Sequence, residues 1–208
     1  VGLKLDILSG DDEAYYDYLG VKNRLRVADA LMLDVGGASL EMVNISAGKA
    51  SDLISIPFGA VKLSEQFNLS DKVDAADFFD ATVFLRQRLR DIWWLRAAQA
   101  KPLILLGGAH RSLARMSRRQ QQILHVDQIH GYQLTTQEVF RLFSTLLQKN
   151  CSERQQLSGL EPDRADIIIG GIMPLVILLQ MLDSDRVIFS ESGVREGIIH
   201  AYLNHDYN

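Results

Sequence analysis

Apolar and polar positions alternate first over "VGLKLDILS", residues 1 to 9, a period of two that predicts a strand. "GDDEAYYDYLGVKNRL" follows as a helix start, its acids placed in the first turn where the helix dipole favours them, and then a polar linker. Residues 30 to 58 hold the β-rich runs "ALMLDV", "LEMVNI" and "KASDLISIPF", joined by "GGAS" and "SAGK". Connections that short predict an antiparallel meander.

From about Ala60 to Ala100 the period lengthens to that of a helix, and Trp93 and Trp94 fall within it as core or interface residues. "KPLILLGG" then predicts a buried strand ending in a glycine turn, with "AHRSLARMSRR" opening a helix. "TTQEVFRLFSTLLQKN" predicts a threonine-capped helix. "PDRADIIIGGIMPLVILLQML" predicts a long apolar one that Pro174 kinks or that breaks near Gly170 and Gly171. "RVIFSES" predicts a last strand, leading through Gly193 into the helix "VREGIIHAYL". A meander followed by alternating helices and strands defines an α/β domain with a mixed sheet, and ligands on such sheets sit beyond the strand ends, where the glycine loops fall.

Composition narrows the partners. A net charge of -4 lacks the basic excess of a nucleic-acid surface. The apolar run from Ile167 to Leu182 is shorter than the roughly 20 residues of a spanning helix, so no membrane partner is expected. Cys151 is the single cysteine, and a reducing, cytoplasmic setting is the default. His110, His125, His130, His200 and His205 show no metal-ligand spacing.

The chemistry concentrates in two glycine loops. In "LMLDVGGASLEMV" the pair Gly36 and Gly37 would let backbone amides approach an anion, with Ser39 adding a hydroxyl. Asp34 and Glu41 flank the loop and could hold a hydrated Mg²⁺. A plain hairpin with two surface acids accounts for the same spacing. "LLGGAHRSLARM" repeats the device with Gly107 and Gly108 before a helix N-terminus, although a strand-to-helix turn needs no more than that. Among Asp11, Asp12 and Glu13, one carboxylate facing the loops could orient a water as general base. Arg164 and Arg195, at junctions between elements, could clamp phosphate oxygens.

In order along the chain, "ILSGDDEAYYDYLGV" (7 to 21), "LMLDVGGASLEMV" (31 to 43), "PFGAVKLSEQF" (57 to 67) and "LLGGAHRSLARM" (105 to 116) resemble the motifs of the exopolyphosphatase and guanosine pentaphosphate phosphatase (Ppx/GppA) family. "HGYQLTTQEV", "LSGLEPDRADIIIGG" and "SESGVREGII" extend the resemblance over nearly the whole chain. The resemblance implies an actin-like, ribonuclease-H-like fold, with residues 1–28 as an interdomain segment carrying the glutamate motif and 29–208 as the second of two lobes. It implies Glu13 as the base that activates water, and Asp34 and Glu41 as the Mg²⁺-side carboxylates. Gly36, Gly37, Ala38, Ser39, Gly107 and Gly108 take its phosphate-cradling positions, with Arg164 and Arg195 as clamps. The implied reaction is attack of water on a terminal phosphoryl group of polyphosphate or guanosine pentaphosphate.

Ala38, Leu40 and Ala109 depart from the family, replacing a glycine and two threonines, and the first lobe with its own phosphate loop is absent. The fragment alone is therefore expected to hydrolyse little, and its first-lobe face to be apolar enough to drive a homodimer. Two rivals remain: a non-catalytic sensor that binds a phosphorylated nucleotide or a partner protein, and a sugar-kinase or actin-like ATPase lobe, which leaves the glutamate motif unexplained.

Overall fold

A computed structural model describes residues 7–204. It contains α1 (Gly10–Lys22), β1 (Ala30–Val35), β2 (Leu40–Ser46), β3 (Lys49–Ile56), α2 (Ala60–Gln66), α3 (Ala75–Arg90) and β4 (Leu103–Leu106). Then follow α4 (Gly108–Gln120), β5 (Gln133–Thr135), α5 (Thr136–Leu147), α6 (Cys151–Arg154), α7 (Ile168–Met181), β6 (Arg186–Phe189) and α8 (Val194–Leu203). The strands form one mixed sheet in the order β3-β2-β1-β4-β6-β5. β1, β4 and β6 run parallel at its centre, while β2, β3 and β5 are antiparallel to their neighbours.

Strand alternation divides the core in two. Leu31, Leu33, Leu103 and Leu105 face a large cluster beneath α2, α3, α4, α5 and α7, whereas Met32, Ile104 and Leu106 face a smaller one with Ala14, Tyr18 and Val21 of α1 and Ala201 of α8. Asp34 follows Met32 by two residues and Glu41 precedes Val43 by two, so both carboxylates stand on the α1 side. α1 is anchored there by a capping box between Ser9 and Asp12 and by close packing on α8. A methyl group on Gly197 would collide with the Tyr16 carbonyl, and one on Gly20 with the Gly193 carbonyl.

Three expectations change. The strand foreseen over 1 to 9 falls for residues 1–6 outside the described residues, and Ile7 to Ser9 adopt no regular structure. Trp93 and Trp94 lie beyond the end of α3 in a turn, not on the helix; Trp94 enters the core while Trp93 is 83% exposed. The apolar helix is not broken: α7 runs from Ile168 through Pro174 to Met181, starting just ahead of Gly170 and Gly171. Those glycines admit neighbours, since a methyl group on Gly170 would lie 2.6 Å from the Ala60 carbonyl oxygen and one on Gly171 2.6 Å from Ala109 Cβ. The three-residue β5 is an element the sequence pattern did not reveal.

Candidate active site

β1 and β2 pair so that Asp34 and Glu41 stand directly opposite each other. The Gly36 amide donates to the Ser39 carbonyl at 3.0 Å, closing a tight hairpin over residues 36–39. The loop is thus a hairpin, but its acids are not surface residues: Glu41 is 1% exposed and Asp34 half-buried. The Gly36 and Gly37 carbonyls accept from the Ala60 and Val61 amides of α2, at 2.8 and 3.0 Å. Gly59 is required beside them, because a methyl group there would strike the Gly36 carbonyl oxygen. The loop's carbonyls are therefore turned to α2.

The second glycine loop meets the first at Asp34. Gly107 has φ of +89°, a left-handed backbone favouring glycine, and a methyl group on it would lie 2.6 Å from Asp34 Oδ1. It is the N-cap of α4 and offers no side-chain cap, which leaves the helix's first amides to a ligand or water. Gly36, Gly37, Gly107, Gly108, Asp34 and Arg164 line one cavity of about 270 Å³. Arg164 lies with its guanidinium against Gly108 and pairs with Glu161, which also binds Arg115 at 2.8 Å. These pairs hold the Glu161 carboxyl below its ordinary pKa, Arg164 contributing most.

On the α1 side a cavity of about 390 Å³ is lined by Asp17, Asp34, Gly107, Arg111, Arg195 and the segment 190–194. Of the three clustered acids, Asp12 is occupied by the capping box and Asp11 is exposed, while half-buried Glu13 acts electrostatically on Asp17, Asp34 and Glu41. Burial, then Glu41 and Glu13, raise the Asp34 pKa against the opposing charge of Arg111. Burial, then Asp34, Glu13 and Glu41, raise that of Asp17. Burial also raises Glu41, although Ser55 donates to its Oε1 at 2.7 Å and Ser39 works in the same direction. Ser39 thus serves Glu41 directly. Ala38 is exposed at the hairpin tip, outside both cavities, in a shallow depression with Ser9 and Lys62.

Asp34, Gly36, Gly37, Gly107, Gly108 and Arg164 line adjoining cavities, with Arg195 at the rim; Glu13 and Glu41 line neither but act electrostatically on Asp34, and Ala38 lies apart. Sequence reasoning passed over Asp17 and Arg111. Both had a signal: Asp17 follows Glu13 by one helical turn inside "YYDYL", and Arg111 stands in the first turn after the glycine pair. The donors are all oxygens, and among the described residues no three of them converge closely enough to cage an ion. Asp17 is buried beside Asp34, with neither oxygen at full hydrogen-bond geometry to any partner.

Fold and site together define an actin-like, ribonuclease-H-like α/β fold whose strand ends carry two glycine loops flanked by buried carboxylates. The chain belongs to the Ppx/GppA phosphatase family, whose model matches residues 1–205. It is similar to the Aquifex aeolicus member of that family, with 27% identity and a TM-score of 0.84 over 100% of this chain and 67% of that one. The type II structure of the Aquifex aeolicus Ppx/GppA phosphatase gives 28% identity and a TM-score of 0.78 over 92% and 63%. A bifunctional 3-dehydroquinate synthase/phosphatase of Fusobacterium nucleatum is 28% identical over 95% of this chain and 30% of its own length. The fold is also that of a Cytophaga hutchinsonii exopolyphosphatase (20% identity, TM-score 0.84, 94% and 64% covered). The chain thus spans 30% of that curated relative and about two thirds of these structures.

Proposed function

We propose that this lobe forms one side of a phosphohydrolase cleft that releases terminal orthophosphate from inorganic polyphosphate or guanosine pentaphosphate. The observation that carries the reading is the meeting of both glycine loops at Asp34, with Glu13 of α1 near enough to act electrostatically on the same carboxylate. The Gly37 amide and those at the α4 N-terminus, with Arg164, Arg195 and Arg111, would neutralise phosphate oxygens as charge develops on them. Glu13 would accept a proton from the attacking water. Asp34 and Glu41 would hold a hydrated Mg²⁺, which supplies charge neutralisation when bound. Ser55 and Ser39 fix the rotamer of Glu41 for that role. We assign residues 29–208 to the second lobe and 1–28 to the segment that brings Glu13 to it, the opposing phosphate contacts coming from a further lobe such as the additional length of the solved relatives supplies.

A sensor reading also has an observation in its favour: Ala109 puts a methyl group, not a hydroxyl, into the cavity between the loops. Orthophosphate release, measured with Mg²⁺ on long-chain polyphosphate and on guanosine pentaphosphate, separates the two. Release from either supports hydrolysis and names the substrate. Binding of both without release converts the site into a sensor.

A further inference from the structure

Asp17 is a carboxylate without an explanation in the fold. It lies on α1 one turn beyond Glu13, is 1% exposed, and points into the cavity it lines with Asp34. Neither Oδ1 nor Oδ2 reaches a partner at full hydrogen-bond geometry, and the one side chain near enough to share a proton with it is Asp34, itself a carboxylate. The Val194 amide, at the start of α8, acts on the carboxyl favourably but does not reach hydrogen-bond geometry. No arginine or lysine pairs with it among the described residues; Arg111 and Arg195 line the same cavity but are exposed. Gly193 leaves the carboxyl room, since a methyl group there would lie 2.9 Å from Oδ1.

A buried charge is retained where it is paired or coordinates a metal. The titratable groups that act most strongly on Asp17 are acidic: Asp34, Glu13 and Glu41. A structural tie to α8 would be made as well by a neutral asparagine, without the cost of burying charge beside charge. What this position lacks is a cation.

We infer that Asp17 is a cation-ligating residue of this site, sharing with Asp34 a hydrated divalent ion of the Mg²⁺ or Mn²⁺ type, while Glu41, held by Ser55 and Ser39, reaches that ion only through its waters. The inference rests on the phosphohydrolase reading for the ion's purpose, though not for its existence. With two carboxylates on one ion, Arg111 and Arg195 stay free for phosphate oxygens.

The test is Mn²⁺ alone, titrated onto the 208-residue chain and followed by the loss of the free-ion electron paramagnetic resonance signal. Wild type is expected to bind, Asp34→Asn to lose binding, and Asp17→Asn to weaken it by about 10-fold or more. Melting curves without metal check folding; Asp17→Asn, which removes a buried charge, is expected to melt no lower than wild type, and Asp17→Ser is a second deletion of the carboxylate. Mn²⁺ should raise the melting temperature of wild type more than that of either variant. Wild-type affinity in both Asp17 variants, with loss in Asp34→Asn, overturns the assignment and leaves the phosphohydrolase reading standing. No Mn²⁺ binding by wild type overturns it too, and the phosphohydrolase reading is then judged separately by orthophosphate release.

Discussion

His110 shows how closely a single residue beneath the second loop is specified. It is 1% exposed, its Nδ1 donates to the Leu106 carbonyl at 2.5 Å, and its Nε2 has no partner. Burial pushes its pKa down to about 4. An unfolded chain takes up that proton near pH 6.5, so between the two values the unfolded state binds more protons and stability falls as pH falls. The expected loss is about 3 kcal/mol from pH 6.5 to pH 4, levelling below. Melting curves across that range should show it, and His110→Leu should flatten this part of the profile; an unchanged acid slope in the variant contradicts the account. Gly107→Ala is a second residue-scale prediction. Its φ of +89° and the nearness of Asp34 Oδ1 put the cost at about 1–3 kcal/mol in urea unfolding, with Asp34 displaced as well.

Among elements, the pair α1 and α8 sets the position of the carboxylates. Gly197 and Gly20 let the two backbones touch, and α1 carries Glu13 and Asp17 toward β1. Gly197→Ala should therefore destabilise by about 1–3 kcal/mol, since the backbones must part, and should weaken Mn²⁺ binding without altering any ligand. Unchanged affinity at reduced stability would show that α1 holds its site independently of α8. Much of this arrangement was legible from pattern. The meander, the two glycine loops, the Thr135 cap and α8 all followed from period and turn residues. β5 escaped because three residues are too few to show alternation. Trp94 was misplaced because the helical period runs on through "DIWWL" after the backbone has left the helix at Asp91. Asp17 escaped because an acid within "YYDYL" reads as solvated until the sheet that covers it is known.

For the whole molecule, the two faces of the sheet divide the work. The face under α2, α3, α4, α5 and α7 is the larger apolar core and holds α4 and α7 in place behind the glycine loops. The face under α1 and α8 becomes acidic at the strand ends, where Asp34 and Glu41 emerge. Among the described residues no helix is long and apolar enough to cross a membrane. If the cleft needs a second wall, the 208-residue chain should release far less orthophosphate than a longer protein that includes it. Equal rates would show that this lobe is sufficient. The most direct test is kcat for orthophosphate release by the full-length protein and its Glu13→Gln variant, with Mg²⁺ and polyphosphate. A general base contributes about 10²–10⁴-fold, so kcat should fall by at least about 10²-fold with KM little changed. Full activity in Glu13→Gln would contradict Glu13 as the base, and with it the account of why α1 brings a carboxylate to the glycine loops.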